Sequence, residues 1–280
     1  DSLSYSEGDG AVVIEQSGNA LVADVDSTNF DTGALTVSIP AGGDSAEDVL
    51  SIQNQGTGAG QIGVSGSNVT YGGVTIGTFT GGSNGSDLII TLNSGATPTR
   101  VSALVKNITY ENTDTAAPTT GARTVRYVLT DGDGGTSPNY DTTVTVSGVN
   151  DAPSDLALSA NSVTENAATG TVVGTITETD VDTGDTKTYS LTDTAGGRFA
   201  INSSTGVITV ADGSLLNYEA ASSHGVTVRV TDSGGATYDE AFTINLTNVN
   251  EAPTGADATV TINEDTSHTL TTANFGFSDV

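Results

Sequence analysis

The sequence predicts an all-β chain of β-sandwich domains in tandem, and three observations carry that expectation. Valine (28) and threonine (47) dominate, while Lys, Gln, Glu and Met, the usual helix fillers, are scarce or absent, a balance that favours strands. Short runs alternate apolar and polar residues between turn signals, as in Thr142–Val146 and Ala241–Leu246. The third observation is an internal repeat, legible through its punctuation: Val149-Asn150-Asp151-Ala152-Pro153 recurs as Val249-Asn250-Glu251-Ala252-Pro253. Proline after a short polar segment stiffens the exit from a strand and marks a boundary. The expected domains are 1–153, 154–253 and the opening of a third over 254–280.

Between the boundaries further pairs follow in the same order. Glu7 matches Glu165, and Asp24-Val25-Asp26-Ser27 matches Asp180-Val181-Asp182-Thr183. Tyr110-Glu111 matches Tyr218-Glu219, and Leu129-Thr130-Asp131 matches Val230-Thr231-Asp232, each soon followed by Gly-Gly. Glu264 stands 11 residues past Pro253, as Glu165 stands 12 past Pro153, and Asp279 follows Glu264 by 15, the step from Glu165 to Asp180.

The first copy is the longer, with 84 positions from Asp26 to Tyr110 against 36 from Asp182 to Tyr218, which places an insertion at about 27–109. Within it, Asn68–Tyr71 and Val74–Phe79 flank Gly72-Gly73, a pair that supplies the positive φ of a two-residue hairpin turn. Gly81–Asp87 reads as a hairpin loop and Asp87–Leu92 as a strand. One helix is predicted, capped by Thr97 with Pro98 in its first turn and Val101, Leu104, Val105 and Ile108 at helical spacing. Beyond it lie a hairpin, Phe199–Ile201 to Val207–Val210, and a strand over Gly225–Asp232. In that strand Val226, Val228 and Val230 share one face and Thr227, Arg229 and Thr231 the other.

Charge limits the functions open to this chain. In 280 residues, 34 acidic side chains face 7 basic ones, a formal charge of −27. That argues against nucleic acid, whose affinity rests on Lys and Arg, and against anionic lipid. With Leu, Ile, Val and Phe this few, composition alone leaves folded and disordered states both open. Cysteine is absent, so disulfides and thiolate metal sites are excluded. Methionine is absent too, so the chain is expected to be a piece of a larger or processed protein. No apolar stretch approaches the ~20 residues of a membrane span, and no signal peptide is visible.

The repeated positions are mostly Asp, Glu and Asn. Carboxylates held this close repel one another, and Lys and Arg are too few to neutralise them. An oxygen-only donor set points to a hard cation, calcium before magnesium, while zinc would require His or Cys. The plain alternative is that Asp and Asn cap turns by hydrogen-bonding their own backbone. Asp131-Gly132-Asp133-Gly134-Gly135 is no EF-hand, since Thr142 holds the twelfth loop position. Catalysis has little support: neither Ser222-Ser223-His224 nor Ser267-His268 sits in a nucleophile elbow, and no enzyme activity is expected.

The order Glu, Asp-x-Asp, Leu-x-Tyr-Glu, Val-Thr-Asp-x-Gly-Gly, Asn-x-Asn-Glu-x-Pro resembles the cadherin repeat, in the form found in large bacterial surface adhesins. The resemblance covers 154–253 well, the edges of 1–153 and the opening of a third copy. It implies Ig-like, cadherin-type Greek-key sandwiches in a linear array, with calcium at each boundary. Glu7, Glu111, Asn150, Asp151, Asp180, Asp182 and Asp232 would then serve the first boundary. Glu165, Glu219, Asn248, Asn250, Glu251 and Asp279 would serve the second. Asp24, Asp26, Asp131 and Asp133 would face a preceding domain. The sequence departs from the family pattern at Thr109, Asn217, Gly148, Asn248 and Glu251, which points to weaker binding or fewer ions. With Glu264, 15 of the 34 acidic residues fall in this ligand set.

The resemblance implies an exported, extracellular region of a bacterial cell surface, without membrane insertion of its own, acting in calcium-dependent adhesion or extension. Its expected partners are calcium ions, neighbouring repeats, protein or glycan receptors, and other copies of itself. The alternative is a carbohydrate- or protein-binding module that uses the insertion of the first domain.

Overall fold

The computed structural model describes residues 1–256 and 258–278. The chain divides into two units, Asp1–Val149 and Asn150–Val280, each with its own apolar core. Both are built from strands, as the Val- and Thr-rich sequence predicts, and the chain is all-β with tandem domains.

The first unit runs through β1 (Ser2–Ser6), β2 (Val12–Val13), β3 (Ala34–Ala41), β4 (Asp48–Ile52), β5 (Ile62–Ser65), β6 (Asn68–Tyr71), β7 (Val74–Thr80), β8 (Leu88–Leu92), α1 (Pro98–Val105), β9 (Ile108–Asn112), β10 (Gly121–Thr130) and β11 (Tyr140–Ser147). One sheet has the order β1-β11-β10-β3-β8-β7-β6-β5 and the other β2-β9-β4. Tyr5, Leu35, Ile90, Leu104 and Tyr110 are among the side chains buried in its core.

The second unit comprises β12 (Asp155–Leu158), β13 (Ser162–Thr164), β14 (Val172–Thr179), β15 (Thr188–Asp193), β16 (Phe199–Ile201), β17 (Val207–Val210), β18 (Ser223–Thr231) and β19 (Thr237–Thr247). Its sheets are β12-β14-β17-β16 and β13-β19-β18-β15. From β12 to β16 successive strands alternate between the two sheets, as in a Greek-key sandwich. Val226, Val228 and Val230 are buried as their alternation predicts, and they meet Phe199, Ile208 and Leu216 in the core.

The two units share a plan. β1 pairs parallel to β11 just as β13 pairs parallel to β19, and the order β1-β11-β10-β3 repeats as β13-β19-β18-β15. The additional elements β5 to β8 and α1 lie between β4 and β9, where the second unit has only the tight turn 202–206. The hairpin β6–β7 turns on Gly72 (φ 57°) and Gly73 (φ 81°), both in the left-handed region.

Helix α1 differs in detail from the sequence expectation. Pro98 opens it, but the Thr97 side chain makes no capping hydrogen bond. Ile108 starts β9 instead of extending the helix; the Asn107 side-chain amide donates back to the Ala103 carbonyl and closes the last turn.

A buried ion pair braces the first unit. Arg123 and Asp48 are 1% and 3% exposed at the side chain, with Nε 3.3 Å from Oδ2, and Tyr110 donates its hydroxyl to the same Asp48 carboxylate. At the surface, Arg126 grips Asp141 across β10–β11 and Arg229 grips Asp239 across β18–β19, both through two parallel hydrogen bonds.

From 254 onward the described residues hold only a bridge between Thr254 and Ser278 and the short 3-10 turn Thr272–Asn274. Among the described residues no helix is long and apolar enough to cross a membrane.

Candidate cation-binding sites

Two groups of three carboxylates converge in the second unit, at opposite ends of its sandwich. In each group one oxygen per residue lies within 4.8 Å of the others.

The first group is Asp180, Asp185 and Asp232. Antiparallel pairing puts the end of β18 beside the start of β15. Asp232, which follows β18, therefore meets the loop that carries Asp180, Asp182 and Asp185 from β14 into β15. The entering chain folds over the same place. Asn150 donates its amide to Asp232 Oδ2 at 3.0 Å, and the Asp151 backbone amide donates to Asp182 Oδ2 at 2.7 Å. Asp180 Oδ1 accepts from the Asp182 amide, Asp232 Oδ1 from the Ala236 amide, and Asp185 from Ser233. Burial works to raise the Asp232 carboxyl. The Asn150 side chain and the amides of Ala236, Gly235 and Gly234 outweigh it and hold the group below its ordinary value.

The second group is Glu165, Glu219 and Glu251. The parallel pairing of β13 with β19 brings Glu165 beside the end of β19, where the chain leaves the sandwich. Glu165 is 2% exposed; its carboxylate accepts from the Tyr218 amide and from the Val249 amide, each at 2.8 Å. Those two amides, Tyr218 first, hold it below the usual glutamate value. Asn248 donates to Glu219 at 2.7 Å, and Asn250 donates to the Glu251 carbonyl at 3.1 Å.

In the first unit Glu7 repeats half of this arrangement: it accepts from the Val149 amide at 2.8 Å. Asp24 accepts from the Asp26 and Ser27 amides, Asp131 from the Asp133 and Gly135 amides, and Ser27 donates to Asp133. Asp24 and Asp131 line one cleft of about 270 Å³. The hydrogen bonds that Asp26 and its neighbours give Asp24 hold that carboxyl below its ordinary value. The bond to Asp24 and the charge beside it push Asp26 up.

Glu111 departs from the sequence pairing. Tyr218-Glu219 lies in a turn beyond β17, whereas Tyr110-Glu111 lies inside β9, the counterpart of β17, hydrogen-bonded in register with β4. The two motifs look alike but occupy different places, and Glu111 joins no three-carboxylate group among the described residues. Asp279 lies outside the described residues, and Glu264 is exposed.

Whether these residues fit a metal ion can be judged from their unsatisfied oxygens. Among the described residues, Glu7 Oε1, Asp151 Oδ2 and Glu251 Oε2 are buried without a hydrogen-bond partner, and Asp180 Oδ2, likewise without a hydrogen bond, has the Lys187 ammonium 3.1 Å away. All four belong to the ligand set read from the sequence, and a fifth such oxygen, Glu15 Oε2, does not. A buried carboxylate oxygen left unpartnered carries a desolvation cost that a cation would offset. The donors are all oxygen, carboxylate and amide, and so fit a hard divalent cation.

A family model described as the cadherin domain matches residues 160–263. The second unit thus resembles a cadherin domain. Among solved structures, it is similar to mouse cadherin-23 EC22-24, at 18% identity and a TM-score of 0.47, covering 92% of this chain and 67% of that one. It is also similar to human CDH23 EC21-23, at 17% identity and a TM-score of 0.47, covering 91% of this chain and 75% of that one. Protocadherin gamma B2 extracellular cadherin domains 1-5 align at 17% identity and a TM-score of 0.47 over 95% of this chain, which spans only 43% of that protein's chain. No curated protein is similar to it in sequence.

Sequence reasoning missed two residues at the aspartate group. Asp185 stands three past Asp182 in the same loop, and an Asp-x-Asp-x-x-Asp spacing was there to be read. Lys187 is the second. One ammonium does stand at the aspartate group, where Lys187 Nζ lies 3.1 Å from Asp180 Oδ2, though it leaves most of that group's charge uncompensated.

Proposed function

We propose that this chain is a calcium-dependent adhesion or extender region of an exported cell-surface protein, with calcium held where one repeat follows the next. The observation that carries this reading is the pair of carboxylate groups at the two ends of the second unit's sandwich, one where the chain enters and one where it leaves, with buried oxygens that lack hydrogen-bond partners. Asp180, Asp182, Asp185, Asp232 and Asp151 are the proposed ligands at entry, with Asn150 beside them. Glu165, Glu219 and Glu251 are those at exit, with Asn248, Asn250 and Asp279 contributing. Glu7 plays the part of Glu165 in the first unit, and Asp24, Asp26, Asp131 and Asp133 form the entry group there.

A cation that binds only the ordered arrangement stabilises it by mass action. At a calcium concentration ten times Kd the gain is about 1.4 kcal/mol per site, and affinities of ~10⁻⁴–10⁻³ M fit an extracellular module. The test is a thermal melt of the chain in millimolar calcium, in millimolar magnesium and in chelator. Calcium should raise Tm by several degrees, magnesium by less, and chelator should reverse the gain. A melting curve indifferent to calcium overturns the reading.

A further inference from the structure

The two carboxylate groups of the second unit differ in one respect. The glutamate group has no basic side chain in an ion pair with it among the described residues, whereas the aspartate group has Lys187. Lys187 is the last loop residue before β15. Its side chain is 9% exposed and that of Asp180 is 3% exposed, a deep burial for a lysine in so acidic a chain. Nζ is 3.1 Å from Asp180 Oδ2, yet that oxygen accepts no directed hydrogen bond. The contact is one of charge, with the oxygen still open to a second partner.

Burying an ammonium is costly unless a counter-charge offsets it, and the aspartate group supplies one. Lys187 offsets one of the negative charges that Asp151, Asp180, Asp182, Asp185 and Asp232 bring to this end, whereas Glu165, Glu219 and Glu251 have no such ammonium in an ion pair among the described residues.

We propose that Lys187 is a tethered cation: it occupies one cation position of the aspartate group and competes with divalent ions for Asp180 Oδ2. This end of the domain thereby binds divalent ions more weakly than its carboxylates alone would, and leans on them less to stay folded. The inference rests on the calcium reading above. It adds that the entry group is weakened from within by its own lysine, while the exit group depends on external ions alone.

The experiment is calorimetric titration of the whole chain with calcium chloride, paired with melts in chelator, for the wild type, Lys187→Met and the double variant Lys187→Met/Asp180→Asn. Lys187→Met should bind calcium at least about tenfold tighter at one class of site, or take up an added ion, because a unit positive charge has left the ligand sphere. In chelator the same variant should melt below the wild type, since its carboxylates have lost their internal partner. Should Lys187→Met fail to fold in chelator, the double variant, with one repelling carboxylate neutralised, should refold there and lose the gain in affinity. Calcium binding by the wild type with unchanged or weaker binding by Lys187→Met overturns the role of Lys187 and leaves the calcium reading standing. No calcium heat from the wild type or either variant overturns both.

Discussion

Glu165 accepts a 2.8 Å hydrogen bond from the backbone amide of Val249, and Glu7 accepts the same bond, also at 2.8 Å, from Val149. A glutamate just beyond the first parallel strand thus clasps the segment that leaves the last one, in both units. Glu165 also holds the Tyr218 amide, so Glu165→Ala strands two donors where Glu7→Ala strands one. In chelator, Glu165→Ala should lower the Tm of its unit by several degrees and Glu7→Ala by less. Differential scanning calorimetry checks the order of the two.

Arg123 predicts a larger effect. With its partner Asp48 also buried, Arg123→Met leaves a carboxylate without its counter-charge and should cost about 3–5 kcal/mol, seen as a fall in the urea midpoint. Adding Asp48→Asn should restore part of that loss, because it removes the orphaned charge.

Arg229 provides the contrast. It makes two 2.7 Å bonds to Asp239, but at 44% and 39% side-chain exposure the pair is largely solvated and gains little over water. Arg229→Ala should leave the urea midpoint within experimental error.

His224 carries a pH dependence. Its Nε2 is buried without a partner, and burial first, then the Arg198 charge, lower its pKa. The unfolded value is about 6.5, so the unfolded chain binds the proton at a higher pH than the folded one does. Its contribution to stability is therefore present above pH ~6.5 and is lost as pH falls through the folded value. Urea midpoints of the wild type should decline between about pH 7 and 5, and His224→Gln should flatten that slope.

Much of the candidate site was legible because it is local. Asp-x-Asp, the boundary asparagines and the glutamate after a strand announce themselves by residue type and spacing, and Asp180, Asp232, Glu165, Glu219 and Glu251 do come together in three dimensions. Tyr110-Glu111 shows where spacing misleads. A two-residue match cannot tell a strand from a turn, and pairing with β4 decided the matter.

The sequence by itself determined the strands, the repeat, the hairpin at Gly72-Gly73 and the places where negative charge concentrates, since periodicity, turn chemistry and composition act over a few residues. Only the tertiary structure decided which carboxylates meet, that Asp48 is neutralised by Arg123, and that Asp180 has Lys187 as its partner. Those contacts depend on strand register and on burial. Burial turns a charge that water would screen into one that must find a partner, and local spacing does not reveal which residue that partner is.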